Sequence, residues 1–287
     1  MFFTMTAGGS RPGWGGSLLG GLGYVSAPAP GALFDEHSVS WRLVSRWTVL
    51  AGGQAAVLLQ VGHPAVGAGV AQHSSYATDP FGRLERTLYS MLAISFGSPE
   101  RREEVLAELR NMHRPVTGTD GLGESYRALD PDLQRWVWAT LIWVALEVER
   151  KYIGDLTPAE REQYYAESKD LARCFRIPES MIPDDLAAFE EYVAVSIAAL
   201  VVTDDARAVA REIASPKLWW APTPVWAPLG WVTADLLGPE LTAEFGLRPL
   251  SGRQAGLVRR GKGLSRAVLP RLPAPLLANP LNRRAIA

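Results

Sequence analysis

The sequence predicts a single all-α, multi-helix domain. Three observations carry this. Apolar residues recur at helical spacing along most of the chain. Several helix starts are announced by a capping residue followed by proline. No alternating run has the length and turn punctuation of a β-hairpin. At 287 residues the chain is long enough to bury a substantial core.

The elements follow in order. Residues 1–34 are rich in glycine and proline and are expected to be irregular. Residues 38–61 place Trp41, Val44, Trp47, Val49 and Leu50 at helical spacing, although Gly52-Gly53 weakens the middle. Gly62-His63-Pro64 should break or bend the chain before a short helix over 65–73. Asp79-Pro80, Ser98-Pro99, Asp130-Pro131 and Thr157-Pro158 each read as an N-cap and first helical residue. They start helices over 80–96, 99–113, 131–152 and 158–175. Thr157-Pro158-Ala159-Glu160 is also a capping box. Helices are further expected at 185–202, 204–213, 232–245 and 251–267, with Gly246 closing one begun near Pro239. In Lys217 to Pro228, repeated proline argues against regular helix. Trp219, Trp220 and Trp226 there would cover the core as a loop or line the mouth of an apolar channel. The expected organisation is an irregular segment 1–34, a helical domain 35–250, and a basic helix with a Pro-rich tail over 251–287.

Composition excludes several function classes. The formal net charge of −1 gives no field that draws nucleic acid. Basic residues do collect late (Arg253, Arg259, Arg260, Lys262, Arg266, Arg271), as a solvated tail or a weak phosphate or membrane contact. Cys174 is the only cysteine, so no intrachain disulfide forms. It is expected as a small buried residue rather than a thiolate ligand. The apolar runs Trp136 to Leu146 and Val193 to Val202 are shorter than the roughly 20 residues of a bilayer span and read as buried helices. No export signal is apparent, and a cytoplasmic protein is expected.

Two helices carry the candidate chemistry. On 80–96, Leu84, Leu88, Met91 and Leu92 form an apolar face, and Arg83, Arg86, Thr87 and Ser90 a separate polar stripe. Such a stripe is usually solvent-facing. The functional alternative is a pocket with guanidiniums and a hydroxyl, suited to carboxylates or a bound oxygen species. On 99–113, Val105, Leu106, Leu109 and Met112 form the buried face, and Arg110 and His113 are i, i+3 neighbours. His113 falls in the last turn, before Arg114-Pro115. On spacing alone it is either a capping or core histidine or an axial ligand for iron.

His63 is expected as a turn histidine bonded to backbone, His37 as a surface residue. His73 either caps a helix end or points into the pocket. His-Glu-x-x-His, Cys-x-x-Cys, Gly-x-Ser-x-Gly and P-loop motifs are missing, so zinc hydrolysis, acyl transfer and nucleotide binding lack support.

Several blocks, in order, resemble a known family. They are Gly62-His63-Pro64-Ala65-Val66 through His73-Ser74, Asp79 through Thr87, Arg110-x-x-His113-x-x-Val116-x-Gly118, Tyr126-x-Ala128-x-Asp130-Pro131, and Trp136-Val137-x-Ala139-Thr140-Leu141. Later blocks are Glu160-Arg161-x-x-Tyr164-Tyr165 and Leu236-Leu237-Gly238-Pro239 to Phe245-Gly246-Leu247. This pattern resembles a bacterial family grouped with the latex clearing proteins (rubber oxygenases) and the mycophenolic-acid-pathway oxygenase.

The resemblance implies a globin-like helical core enclosing a b-type haem. It implies His113 as the proximal iron ligand and Arg83, Arg86 and Thr87 as the distal-side group around the cofactor. Arg110 is expected beside the cofactor with them, and His73 with Arg86 and Thr87 as the catalytic group. Arg86 stands where rubber oxygenases have lysine. Three departures matter. Those enzymes use a glutamate base before the arginine pair, whereas no glutamate occurs between Glu36 and Glu85. Many bacterial relatives carry histidine where Trp138 stands. A polymer-degrading secreted enzyme is not expected without an export signal. The expected function is therefore a haem b-dependent oxygenase or peroxygenase using dioxygen or peroxide on a small, mostly apolar substrate. The rival is a non-catalytic haem-binding sensor or storage protein.

Overall fold

The computed structural model describes residues 27–74, 80–214 and 223–279, with the backbone alone for 80–85, 223–226 and 275. The architecture is all-α, with one small hairpin. In chain order the helices are α1 (Val39–Val44), α2 (Gly53–Gly62), α3 (Pro64–His73), α4 (Pro80–Phe96), α5 (Pro99–His113), α6 (Pro131–Val148), α7 (Pro158–Cys174), α8 (Leu186–Ala198), α9 (Asp204–Ala214), α10 (Thr223–Leu237), α11 (Pro239–Glu244), α12 (Gly252–Val268) and α13 (Ala274–Leu277). The strands β1 (Thr117–Thr119) and β2 (Ser125–Arg127) pair antiparallel between α5 and α6.

The capping signals hold where the residues are described. Ser98 Oγ accepts from the Arg101 N–H, Asp130 from the Asp132 N–H, and Thr157 with Glu160 closes a full capping box. Thr203 Oγ1 accepts from the Ala206 N–H at the start of α9. Gly246, at φ +72°, ends α11. Asp79, Trp219 and Trp220 lie outside the described residues.

Four expectations are corrected. The helix expected over 38–61 is three pieces, because Arg46 is extended and Trp47–Gly52 is a 3-10 turn. At that break residues 276–279 dock. The Trp47 indole donates to the Leu276 carbonyl at 2.9 Å, the Asn279 N–H to the Ser45 carbonyl at 2.7 Å, and Arg46 bridges Ala278. The stretch expected over 232–245 breaks at Gly238, whose φ of +82° leaves the helical region. Residues 223–231 are helical despite Pro224 and Pro228. Pro224 sits in the first turn, where its missing N–H costs nothing, and Pro228 removes one ladder bond near the helix start. The short hairpin was missed because three-residue strands carry no readable alternation.

The long central helix α6 is apolar nearly all round because neighbours cover nearly all of it. Trp138 enters one cluster with Phe96, Tyr165 and Phe189, built from α1, α4, α5, α7 and α8. Trp136 enters a second with α2, α9, α10 and α11, and its indole donates to the Leu59 carbonyl at 3.2 Å. Leu133 joins a third with Ala65, Ala68, Val116 and Tyr126. A π-helical turn, Glu149–Ile153, ends α6. There Glu149, 1% exposed, accepts from the Leu156 N–H at 2.9 Å and faces Arg161 at 3.4 Å.

The basic α12 is not simply a solvated tail. Lys262 pairs with Asp235 at 2.8 Å, and Asp235 also accepts from the Tyr152 hydroxyl at 3.0 Å. Burial, then the neighbouring carboxylate, raises the Tyr152 phenol above its ordinary range. Arg253, Arg259 and Arg260 stay exposed. No single helix among the described residues is long and apolar enough to cross a membrane.

Candidate functional site

His113 reaches its place through α5. Ser98 and Pro99 start that helix, Val105 and Leu106 bury one side, and 15 residues later the chain turns out at Arg114-Pro115. The Val116 N–H closes the turn on the His113 carbonyl at 3.0 Å. The chain then enters β1, which pairs with β2 in the register Gly118↔Tyr126.

Gln72, near the end of α3, holds this hairpin down. Its Nε2 donates to the Thr119 carbonyl at 3.0 Å, and its Oε1 accepts from the Tyr126 hydroxyl at 2.9 Å. A Cβ at position 118 would lie 2.7 Å from Gln72 Oε1 and 2.9 Å from the Tyr126 oxygen, so a larger residue there would push these two side-chain ends aside. On the other side, α2 and α3 meet at Gly62-His63-Pro64 with a bend of 105°. His63 takes an extended conformation before Pro64. Its ring is at the expected turn, but Nδ1 is buried with no hydrogen-bond partner among the described residues. Burial lowers its pKa, against smaller opposing effects of Asp120 and Asp132.

These elements enclose a cavity of about 440 Å³. Ala65, Val66, Gly69 and Val70 of α3 form one wall; Leu106, Leu109, Arg110 and His113 of α5 another. Thr87, Ser90 and Met91 enter from α4, and Leu133, Gln134, Val137 and Leu141 from α6. Val116, Tyr126, Ala128 and Leu129 close the hairpin side, and Cys174, Phe175 and Arg176 the end of α7. The lining is mainly apolar with a few polar groups, the usual character of a small-molecule site.

The His113 ring sits 2.7 Å, Nδ1 to oxygen, from the Leu109 carbonyl. A carbonyl only accepts, so Nδ1 carries a proton in this hydrogen bond. Metal-ligating histidines commonly donate their other ring N–H to a backbone carbonyl in this way. Among the described residues no three His, Cys, Asp or Glu side chains come together as a protein-only metal centre. A porphyrin supplies its own four nitrogens and needs one axial imidazole, so the donor set fits haem.

The other sequence candidates divide. Thr87 and Arg110 line the cavity with His113. Arg86 is exposed on α4 and is not among the lining residues. The Arg83 side chain lies outside the described residues. His73 is not in the wall; its Nε2–H donates to the Thr117 carbonyl at 3.1 Å, capping the hairpin strand. Cys174 is the last residue of α7, half-buried, and burial pushes its thiol up.

Trp138 is fully buried and is not among the cavity-lining residues, although it stands one turn from both Gln134 and Leu141, which are. Sequence reasoning missed Arg176, Tyr126 and Gln134 as lining residues. Tyr126 lay inside a shared block, but its contact depended on the hairpin.

The family described as ER-bound oxygenase mpaB/B′/rubber oxygenase, catalytic domain, matches residues 41–267. Two curated relatives are also similar: the uncharacterized proteins Mb2261 of Mycobacterium bovis and Rv2237 of Mycobacterium tuberculosis. Each is 30% identical over 193 residues, covering 65% of this chain and 76% of the relative. No solved structure matches the chain. With the match running from α1 into α12 and taking in every wall of the cavity, the chain belongs to the mpaB/rubber oxygenase catalytic-domain family.

Proposed function

We propose that the protein is a haem b-dependent oxygenase or peroxygenase acting on a small, mostly apolar substrate. The observation that carries this is His113: a cavity-lining imidazole whose Nδ1 proton is committed to the Leu109 carbonyl. Bound haem supplies redox chemistry toward dioxygen or peroxide.

The chain's own residues do the rest. Leu109 fixes the tautomer and rotation of His113, and the hydrogen bond raises the basicity of Nε2. The walls from α3 and α6 exclude water and accept an apolar substrate. Thr87 and Ser90, one turn apart on α4, bring hydroxyls to the same cavity. Gln72 and Gly118 keep the hairpin wall closed. Arg86 acts on charge developing in the site only if it turns inward from its exposed position.

Titration of the purified protein with hemin tests this. Wild type develops a Soret band at one equivalent; His113→Ala, folded by circular dichroism, does not. A folded wild type that leaves hemin unchanged, or an identical spectrum in the variant, ends the proposal. The sensor or storage alternative, with His73 as second ligand, requires His73 to leave the Thr117 carbonyl.

A further inference from the structure

The helix α7 ends in a way its sequence does not favour. The Ile177 N–H returns to the Ala172 carbonyl at 3.2 Å and the Arg176 N–H to the Arg173 carbonyl at 2.9 Å, the paired bonds of a Schellman cap. The cap requires a left-handed residue, normally glycine. Here it is Arg176, at φ +60°, the only non-glycine residue with positive φ among the described residues. A side chain held in that conformation is strained and persists where its surroundings require it.

Arg176 lines the cavity while remaining exposed, so it stands where the cavity meets solvent. Arg110 lines the same cavity, half-buried. Neither guanidinium has an ion-pair or side-chain hydrogen-bond partner among the described residues, and no Asp or Glu lines this cavity there. Arg42, Arg46, Arg101, Arg135, Arg150, Arg161, Arg173 and Arg207 are each matched with a carboxylate. Other arginines, Arg114 and Arg253 among them, are also without an ion pair among the described residues, but Arg110 and Arg176 are the two that line the cavity. Two uncompensated cations beside an apolar chamber recognise an anion attached to an apolar body, and a guanidinium suits a carboxylate best.

We propose that Arg176, with Arg110, forms a carboxylate-binding subsite at the opening of the cavity, and that the left-handed backbone at Arg176 is retained to aim its guanidinium there. The carboxylate belongs to a porphyrin propionate or to a substrate of fatty-acid type. The first source rests on the haem reading above; the second does not.

The test compares wild type with Arg176→Gly, which relieves the backbone, and with Arg110→Gln. Dissociation constants are measured for hemin against hemin dimethyl ester, and, on haem-free protein, for dodecanoate against dodecanol. The free acid of at least one pair should bind wild type about tenfold more tightly than its uncharged partner. Each variant should lose that preference, while haem-free Arg176→Gly melts no lower than wild type. Preference within the porphyrin pair assigns the propionate; preference within the twelve-carbon pair assigns the substrate. If no porphyrin binds but dodecanoate is still preferred, the haem reading fails and this inference stands. Equal binding within both pairs, retention of the preference in Arg176→Gly, or a lowered melting point for that variant overturns the subsite.

Discussion

Replacing Trp138 with histidine should unsettle the core and leave the cavity alone. Trp138 is 0% exposed. Its indole donates to the Ser168 carbonyl at 3.0 Å, and its ring meets Phe189 edge-on at 5.5 Å and Tyr165 at 6.3 Å. Truncation of such a side chain to alanine belongs at the upper end of about 3–5 kcal/mol. Histidine keeps a planar ring and one N–H donor, so about half of that loss, ~2–3 kcal/mol, is expected. At about 2–4 °C per kcal/mol for a chain of this size, the midpoint should fall by roughly 4–12 °C.

Urea and thermal unfolding of haem-free protein measure this, and a hemin titration run in parallel measures the site. Lowered stability with an unchanged Soret position is expected, because Gln134, Val137 and Leu141 line the cavity and Trp138 does not. A shifted Soret band with a midpoint within about 1 °C of wild type would place position 138 in the cavity wall and refute that placement.

Two further outcomes concern pH and capping. Burial lowers the His63 pKa from 6.5, so the unfolded chain binds the proton more readily than the folded one. Stability should be full above about pH 6.5 and decline below it, down to the lowered folded value. His63→Gln should flatten that decline in urea midpoints, and an unchanged slope would assign the acid sensitivity elsewhere. Thr157→Ala should cost about 1 kcal/mol through the lost cap of α7. Glu160 is held at about 2 by the Thr157 backbone N–H and hydroxyl and by Arg42, so its contribution is present above about 4.5 and fades as pH falls toward 2. The variant should therefore lose part of the wild-type acid transition in that window, read from midpoints between neutral pH and pH 2.

Helices with strong local punctuation were legible in the sequence. Ser98-Pro99, Asp130-Pro131 and Thr157-Pro158 supply caps that tertiary structure had no reason to override. The break at Arg46 was not legible, because its cause is the segment around Ala278 at the other end of the chain. The helix over 223–231 was hidden by two prolines that only the observed start makes tolerable. In the site, His113, Arg110 and Thr87 could be read from helical spacing and family blocks, and they share the cavity. His73 and Arg86 were read from the same blocks, yet His73, the last residue of α3, bonds to the Thr117 carbonyl of β1, and Arg86 is exposed. Arg176 carried one faint sign: a helix ending in Cys-Phe-Arg where glycine would ordinarily follow.

The docking of Leu276 on Trp47 ties together residues 229 positions apart. During synthesis, the opening helices are therefore made long before the segment that stitches them has left the ribosome. Until it arrives, the bonds from Trp47 to Leu276 and from Asn279 to Ser45 cannot form. A stop codon shortly before Leu276 would thus spare every wall of the chamber and still leave a product that chaperones hold and proteases find.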